Sequence, residues 1–283
     1  MIPQALAIIN GKGGTLKTTI SANAAGILAA AGYRVLLVDL DPQGNLLRDL
    51  GLHDSEADDQ GAALAAALLG QTDLRVAAGV RERLDLAVGG DALDVLDVAP
   101  EDLELALEPI ADDYDLIIVD CPPGQRGLQK AALTAVHFVV IPTKADVASL
   151  DGLRRVARLF AEVRSSANPD LELLGVVLAD VGSQSRRILR ETRDDVATLF
   201  GNDETMFLST IRHAEAPATD ARRLGRLAHE LDRELYADLM AIRSPLPTGT
   251  GPRRFAASAP GLAGDHQRLA SEIAERISAR VPS

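Results

Sequence analysis

The sequence predicts an α/β protein: a doubly wound, mostly parallel sheet with helices on both faces. Two observations carry that expectation. Apolar runs such as Arg34-Val35-Leu36-Leu37-Val38-Asp39 and Tyr114-Asp115-Leu116-Ile117-Ile118-Val119-Asp120 are bounded by Pro and Gly, as parallel strands covered on both faces require. They also alternate with segments of helical length. Strands are expected near 5–10, 34–39, 84–88, 114–120, 137–142, 172–179 and 206–211. Helices are expected at 17–31, 60–69, 100–109, 125–134, 146–166, 185–199, 216–241 and 264–281. The first strand is the run Ala5-Leu6-Ala7-Ile8-Ile9, and an Ala-rich helix follows Lys17. The acidic, polar stretch 53–60 reads as a loop. Residues 244–261, SPLPTGTGPRRFAASAPG, read as a mobile Pro/Gly/Ser-rich excursion. No internal repeat is visible, so residues 1–283 are expected to form one domain. The first strand is expected close to residue 1, and no N-terminal helix-turn-helix domain is expected.

Between the first strand and the first helix lies Gly11-Lys12-Gly13-Gly14-Thr15-Leu16-Lys17-Thr18. A strand, a glycine-rich turn and a helix N-terminus together aim backbone N–H groups at an anion. Gly11, Gly13 and Gly14 supply the close backbone approach such a loop needs. Lys17 is suited to the β- and γ-phosphates, and the Thr18 hydroxyl to Mg²⁺. With Thr15, Leu16 and Thr19, these residues form the expected nucleotide-binding set. Lys12 is a second lysine inside the loop, where one suffices. Asp39, Asp41 and Asp120 end or follow two strands, and so belong beside the loop, beyond the carboxyl ends of the sheet. Asp39 and Asp41 also have a plainer reading, as residues that begin or cap a turn.

The lysine-bearing loop, Asp39-Leu40-Asp41-Pro42-Gln43-Gly44-Asn45 and Asp120-Cys121-Pro122-Pro123 together resemble the ParA/MinD group of deviant Walker-A ATPases. The resemblance runs from about Ala5 to about Pro217, where Glu215-Ala216-Pro217 is similar to a triplet of chromosome-type ParA proteins. It implies a P-loop ATPase that closes an ATP-dependent sandwich dimer, with Lys12 reaching the partner's phosphates and Lys17 serving its own subunit. It further implies that Lys12, Lys17 and Asp41 form the catalytic set, with Asp41 orienting the attacking water. Thr18 would hold Mg²⁺ directly, and Asp39 and Asp120 through water. One residue departs from the family pattern: Leu16 stands where Gly usually precedes the second lysine. Near-helical backbone there would accommodate Leu; a positive φ would make it costly. Slow turnover would suit the timing role of the family.

Composition narrows the classes. The 283 residues are 47% hydrophobic, enough for a large core, and aromatic residues make up 3%. Cys121 is the sole cysteine, so an intrachain disulfide is excluded, and it reads as a small buried residue. No apolar run reaches membrane-spanning length, and the expectation is a cytoplasmic protein; the resemblance implies that it is nucleoid-associated.

The net charge of −12 speaks against a polyanion partner, unless basic residues cluster. They do: Arg186, Arg187, Arg190 and Arg193 recur through one expected helix, Arg222, Arg223 and Arg226 through another, and Arg212 lies between. ParA proteins use these regions to hold DNA phosphates without reading sequence, which makes Arg186, Arg187, Arg190, Arg212, Arg222 and Arg223 the candidate DNA contacts. A solvated helix face is the alternative, since Glu191, Asp194 and Asp195 interleave with the first cluster. The resemblance implies a ParB-like activator as a further partner. Rival readings are a MinD-like membrane-surface ATPase, a ParA-like switch for a protein cargo, and a small-molecule or metal-insertion enzyme of the same fold. The stripe Leu269, Ile273, Ile277 and Val281 lacks the aromatic anchors and basic face of a membrane helix, and reads as a sheet-packing face.

Overall fold

Parallel pairing dominates an eight-stranded sheet of order β3-β4-β2-β5-β1-β6-β7-β8. The computed structural model describes residues 1–182, 186–200, 205–233 and 259–280. The strands are β1 (Ile2–Ile8), β2 (Val35–Asp39), β3 (Ala77–Arg81), β4 (Leu84–Ala87), β5 (Leu116–Asp120), β6 (Val136–Thr143), β7 (Glu172–Val181) and β8 (Met206–Arg212). The helices are α1 (Lys17–Ala30), α2 (Asn45–Asp49), α3 (Ala62–Leu68), α4 (Asp102–Leu107), α5 (Arg126–Ala135), α6 (Val147–Arg164), α7 (Arg186–Phe200), α8 (Glu215–Leu224) and α9 (Ala259–Ser278). This is the α/β P-loop NTPase fold, as the sequence predicts.

The three central strands are buried along most or all of their length because helices cover both faces. On one face, Ile9, Leu36, Val119 and Ile141 pack with α3 to α6; on the other, Leu6, Ile8, Leu37 and Ile118 pack with α1 and α9. Cys121 is buried, as expected. β1 pairs with β5 on one side and β6 on the other, so the loop leaving β1 opens at the middle of the sheet. Asp39 and Asp120 are direct partners across β2 and β5.

Four elements depart from expectation. β3 is an antiparallel edge strand, Ala-Ala-Gly-Val-Arg, whose pattern is too weakly apolar to read, and Arg83 turns it into β4 with φ 60°. α2 is only five residues long, but it buries Leu46 and Leu47. The helix expected over 216–241 breaks at Gly225, which ends α8 in the left-handed region (φ 60°). A Cβ there would lie 2.1 Å from the Cα of Gly51, so only Gly fits. Helix resumes at 228–233, and 234–241 lie outside the described residues. The last helix starts at Ala259 rather than 264, and the loop expected at 244–261 falls outside the described residues up to 258.

Candidate active site

The glycine-rich loop is held from two sides. Buried Asn10 accepts the Lys12 N–H at 2.9 Å and donates to the Pro142 carbonyl at 2.6 Å, tying the loop to the end of β6. On the other side lies α6. Its N-cap carboxylate, Asp146, accepts from the Ser149 N–H at 2.8 Å and from the Lys12 ammonium at 3.0 Å. Two turns on, Gly152 leaves room for Asn10 and Lys12, and the Arg155 guanidinium donates to the Gly11 carbonyl at 3.3 Å. Sequence reasoning missed Asn10, Asp146 and Gly152. A polar residue closing an apolar strand was the one available signal for Asn10; the α6 contacts depend on tertiary packing.

The two lysines part company. Lys12 points to Asp146 at the margin of the site. Lys17 is buried, and its ammonium donates to the Lys12 carbonyl at 3.1 Å. Burial holds its proton affinity below the ordinary lysine range, against the pull of Asp120 and Asp41. Below it sits the carboxylate pair. Asp120 accepts from Ser21 Oγ at 2.8 Å, with the Thr18 hydroxyl beside it, and burial pushes its pKa up to about 7. Asp39 is raised as well, by burial and by Asp120 beside it. Both Asp39 oxygens are taken by backbone, accepting from the N–H of Asp41 at 3.0 Å and of Leu46 at 3.2 Å. Asp39 is therefore a turn cap here. Asp41 is buried and accepts the Gln43 N–H at 3.0 Å.

The residues present fit a divalent cation. The buried Oδ2 of Asp120 has no hydrogen-bond partner among the described residues, beside the Thr18 hydroxyl and a second carboxylate. Hard oxygen donors with surplus negative charge suit Mg²⁺.

Leu16, the residue whose backbone decided its cost, has φ 63° and ψ 22° at the N-cap of α1. An L-residue in this left-handed region costs roughly 1–2 kcal/mol. The side chain packs against the apolar cluster on the α1–α9 face.

A cavity of about 490 Å³ runs from Gly13, Lys17 and Thr18 to Arg222, Leu262 and His266. The His266 ring is buried, which lowers its pKa to about 4 despite the favourable charge of Asp265; His229 adds to the lowering. An unfolded His protonates near 6.5, so between pH 6.5 and 4 the native state binds fewer protons, and stability present above that window drains away as pH falls. In His266→Phe this loss should be shallower by at most about 1.4 kcal/mol per pH unit. Urea midpoints measured across the window test it; parallel profiles for the two proteins would remove His266 from the account.

Residues 3–173 match the AAA domain family. The chromosome partitioning protein ParA of Caulobacter vibrioides is 34% identical over 227 residues, covering 75% of this chain and 83% of that protein. The chain belongs to the ParA/MinD family of ATPases. The sporulation initiation inhibitor protein Soj of Bacillus subtilis is 32% identical over 83% of this chain and 95% of its own length. Among solved structures, cobyrinic acid a,c-diamide synthase from Mycobacterium smegmatis with a bound ATP analog and magnesium is 32% identical, with TM-score 0.61 over 68% of this chain and 79% of that one. ATP and Mg²⁺ are the cofactors of such an ATPase.

The candidate DNA arginines fare unevenly. Arg190 and Arg193 are exposed on α7, and the Arg186 and Arg187 side chains lie outside the described residues. Arg212 is committed to buried Asp265 through Nε at 2.6 Å and Nη2 at 3.0 Å, which anchors α9 to β8. Arg222 donates to Asp49 at 2.8 Å, and Arg223 pairs with Asp220 on its own helix. Asp49 is buried, with its proton affinity raised by that burial. Arg222→Ala should therefore destabilise the protein by about 1–3 kcal/mol, by stranding Asp49, while Arg223→Ala stays within about 0.5 kcal/mol. Thermal melts of the two variants check this; equal melts would mean Arg222 is no lock.

The acidic excess is also local. Residues 84–125 hold twelve Asp and Glu and no Lys, Arg or His, which accounts for the whole net charge of −12. Of the stripe on α9, Leu269 and Ile273 are buried, Ile277 packs half-buried against the same core and Val281 lies outside the described residues; no helix among the described residues is long and apolar enough to cross a membrane.

Proposed function

We propose that this chain is a ParA-type partitioning ATPase. ATP closes a sandwich dimer, the closed dimer holds DNA without reading sequence, and a ParB-like protein on the cargo triggers hydrolysis and release. The observation that carries the proposal is the division of labour between the two loop lysines. Lys17 is buried under its own phosphate seat, while the Lys12 ammonium stands at the margin on a partly exposed carboxylate. A lysine held there is free to exchange Asp146 for phosphate oxygens of a second subunit.

Phosphoryl transfer needs positioning and charge neutralisation more than covalent chemistry. The backbone of Gly13 to Thr18 cradles the β- and γ-phosphates, and Lys17 neutralises them. Mg²⁺, held by Thr18 and backed by Asp120, with Asp39 fixing the adjacent loop, would withdraw charge from the same oxygens. Asp41 orients the attacking water. Its hydrogen bond to Gln43 keeps the carboxylate in one place, and turnover is slow without the activator.

Arg190, Arg193 and Arg223 are exposed and not tied to a buried carboxylate, and they supply the phosphate contacts. The confinement of the negative excess to 84–125 removes the objection from net charge. Cargo is a plasmid or chromosome, and the protein is nucleoid-associated. Burial of Leu269 and Ile273 speaks against a MinD-like membrane helix.

The test is binding to a random-sequence DNA duplex with ATP, ADP or no nucleotide, across a salt series. Binding with ATP alone, falling steeply with salt, is expected. Equal binding in all three states would overturn the switch. Absence of binding in all of them would leave a protein cargo as the target.

A further inference from the structure

Leu16 occupies the one position of the phosphate loop where this chain departs from the glycine pattern, and it does so at a backbone conformation that glycine adopts freely. The first helical hydrogen bond of α1, Ile20 N–H to the Leu16 carbonyl at 2.9 Å, fixes that peptide, so the strain cannot relax without unwinding the helix start. Gly14, two residues earlier, has φ 74°, and the loop thus turns through the left-handed region twice, once with a side chain attached.

That side chain has a definite location. It lines the 490 Å³ cavity between Gly14 and Lys17 at the phosphate end and Leu227 and Leu262 at the far end. It also packs on the apolar cluster to which Leu227 and Leu262 belong. A nucleotide whose phosphates lie on Gly13 to Thr18 must run its sugar and base along this cavity, past Leu16.

We propose that Leu16 sets nucleotide affinity in this chain, its side chain bridging the phosphate loop to the Leu227–Leu262 wall and narrowing the cavity that nucleotide must enter. The proposal rests on the nucleotide-site reading above and adds the residue that tunes it. Leu16 packs on the apolar cluster and lines the same cavity as Leu227 and Leu262, so the packing that stabilises the empty protein opposes the ligand.

The experiment is calorimetric titration of Mg-ATP into wild type, Leu16→Gly and Leu16→Ala, with a thermal melt of each protein alone. Leu16→Gly should bind Mg-ATP at least fivefold more tightly, with a melting temperature equal to or below wild type. Leu16→Ala keeps the strained backbone but removes most of the bulk, and should bind tighter as well if narrowing is the cause. Affinity unchanged or weakened in both variants would overturn the proposal and leave Leu16 a packing residue. Absence of Mg-ATP binding in all three proteins would instead overturn the nucleotide-site reading itself.

Discussion

ATP affinity should fall about 100-fold or more in Lys17→Ala, the largest effect expected of any single substitution in this chain. Two losses combine. The phosphates lose a buried, preorganised cation whose charge is undiluted by solvent, and the Asp39–Asp120 pair loses the positive charge that offsets it. Without Lys17, Asp120 should take up a proton more readily still, and Mg²⁺ would then compete against that proton. The variant should therefore lose Mg-ATP binding more steeply as pH falls from 8 to 6 than wild type does. Calorimetry at both pH values measures this. Retained wild-type affinity at pH 8 would show that the loop backbone alone holds the phosphates.

Gly152→Ala should be disruptive, at about 1–3 kcal/mol of stability with a loss of ATP affinity. Helix propensity alone argues the opposite sign, because Ala is favoured over Gly mid-helix by about 1 kcal/mol. Geometry decides the contest. The new Cβ would lie 2.5 Å from Asn10 Oδ1 and 3.2 Å from the Lys12 nitrogen. Asn10 cannot swing aside without giving up both its bond to Pro142 and its bond to Lys12. Gly127, in α5, is the control: its nearest neighbour would be Val98 Cγ2 at 3.7 Å, so Gly127→Ala should stabilise by about 0.5–1 kcal/mol. Denaturant titration of the pair reads the contrast directly. A stable Gly152→Ala would mean that α6 does not press on the loop.

The contrast between these glycines bears on what could be read before the fold was seen. The strands that form the centre of the sheet were legible because burial on both faces leaves an apolar run. The phosphate loop was legible because its chemistry is local, eight consecutive residues performing one task. β3 was not, since an edge strand paired on one side needs little apolar content. Nor was the break at Gly225: a glycine inside a helical pattern is tolerated, and what demands glycine here is the backbone of Gly51, far away in sequence and touching in space. The acidic residues divide in the same way. The positions of Asp39 and Asp120 followed from strand ends, but that Asp39 spends both oxygens on backbone while Asp120 keeps one unpaired depends on a five-residue helix too short to predict. The arginines were the least legible, because charge in a sequence carries no record of whether a buried carboxylate has already claimed it.

The strand order has a consequence for how the chain is made. The phosphate loop is synthesised well before the strands that flank it: β1 has no neighbours until β5 and β6 arrive more than a hundred residues later. Asp120 comes at the end of β5, and Asp146 follows β6. During synthesis the loop therefore waits without the strands that hold it in the folded protein, and contacts of such long sequence separation form slowly. Ligand rescue of a folding-impaired variant should then act only after residue 146 has emerged.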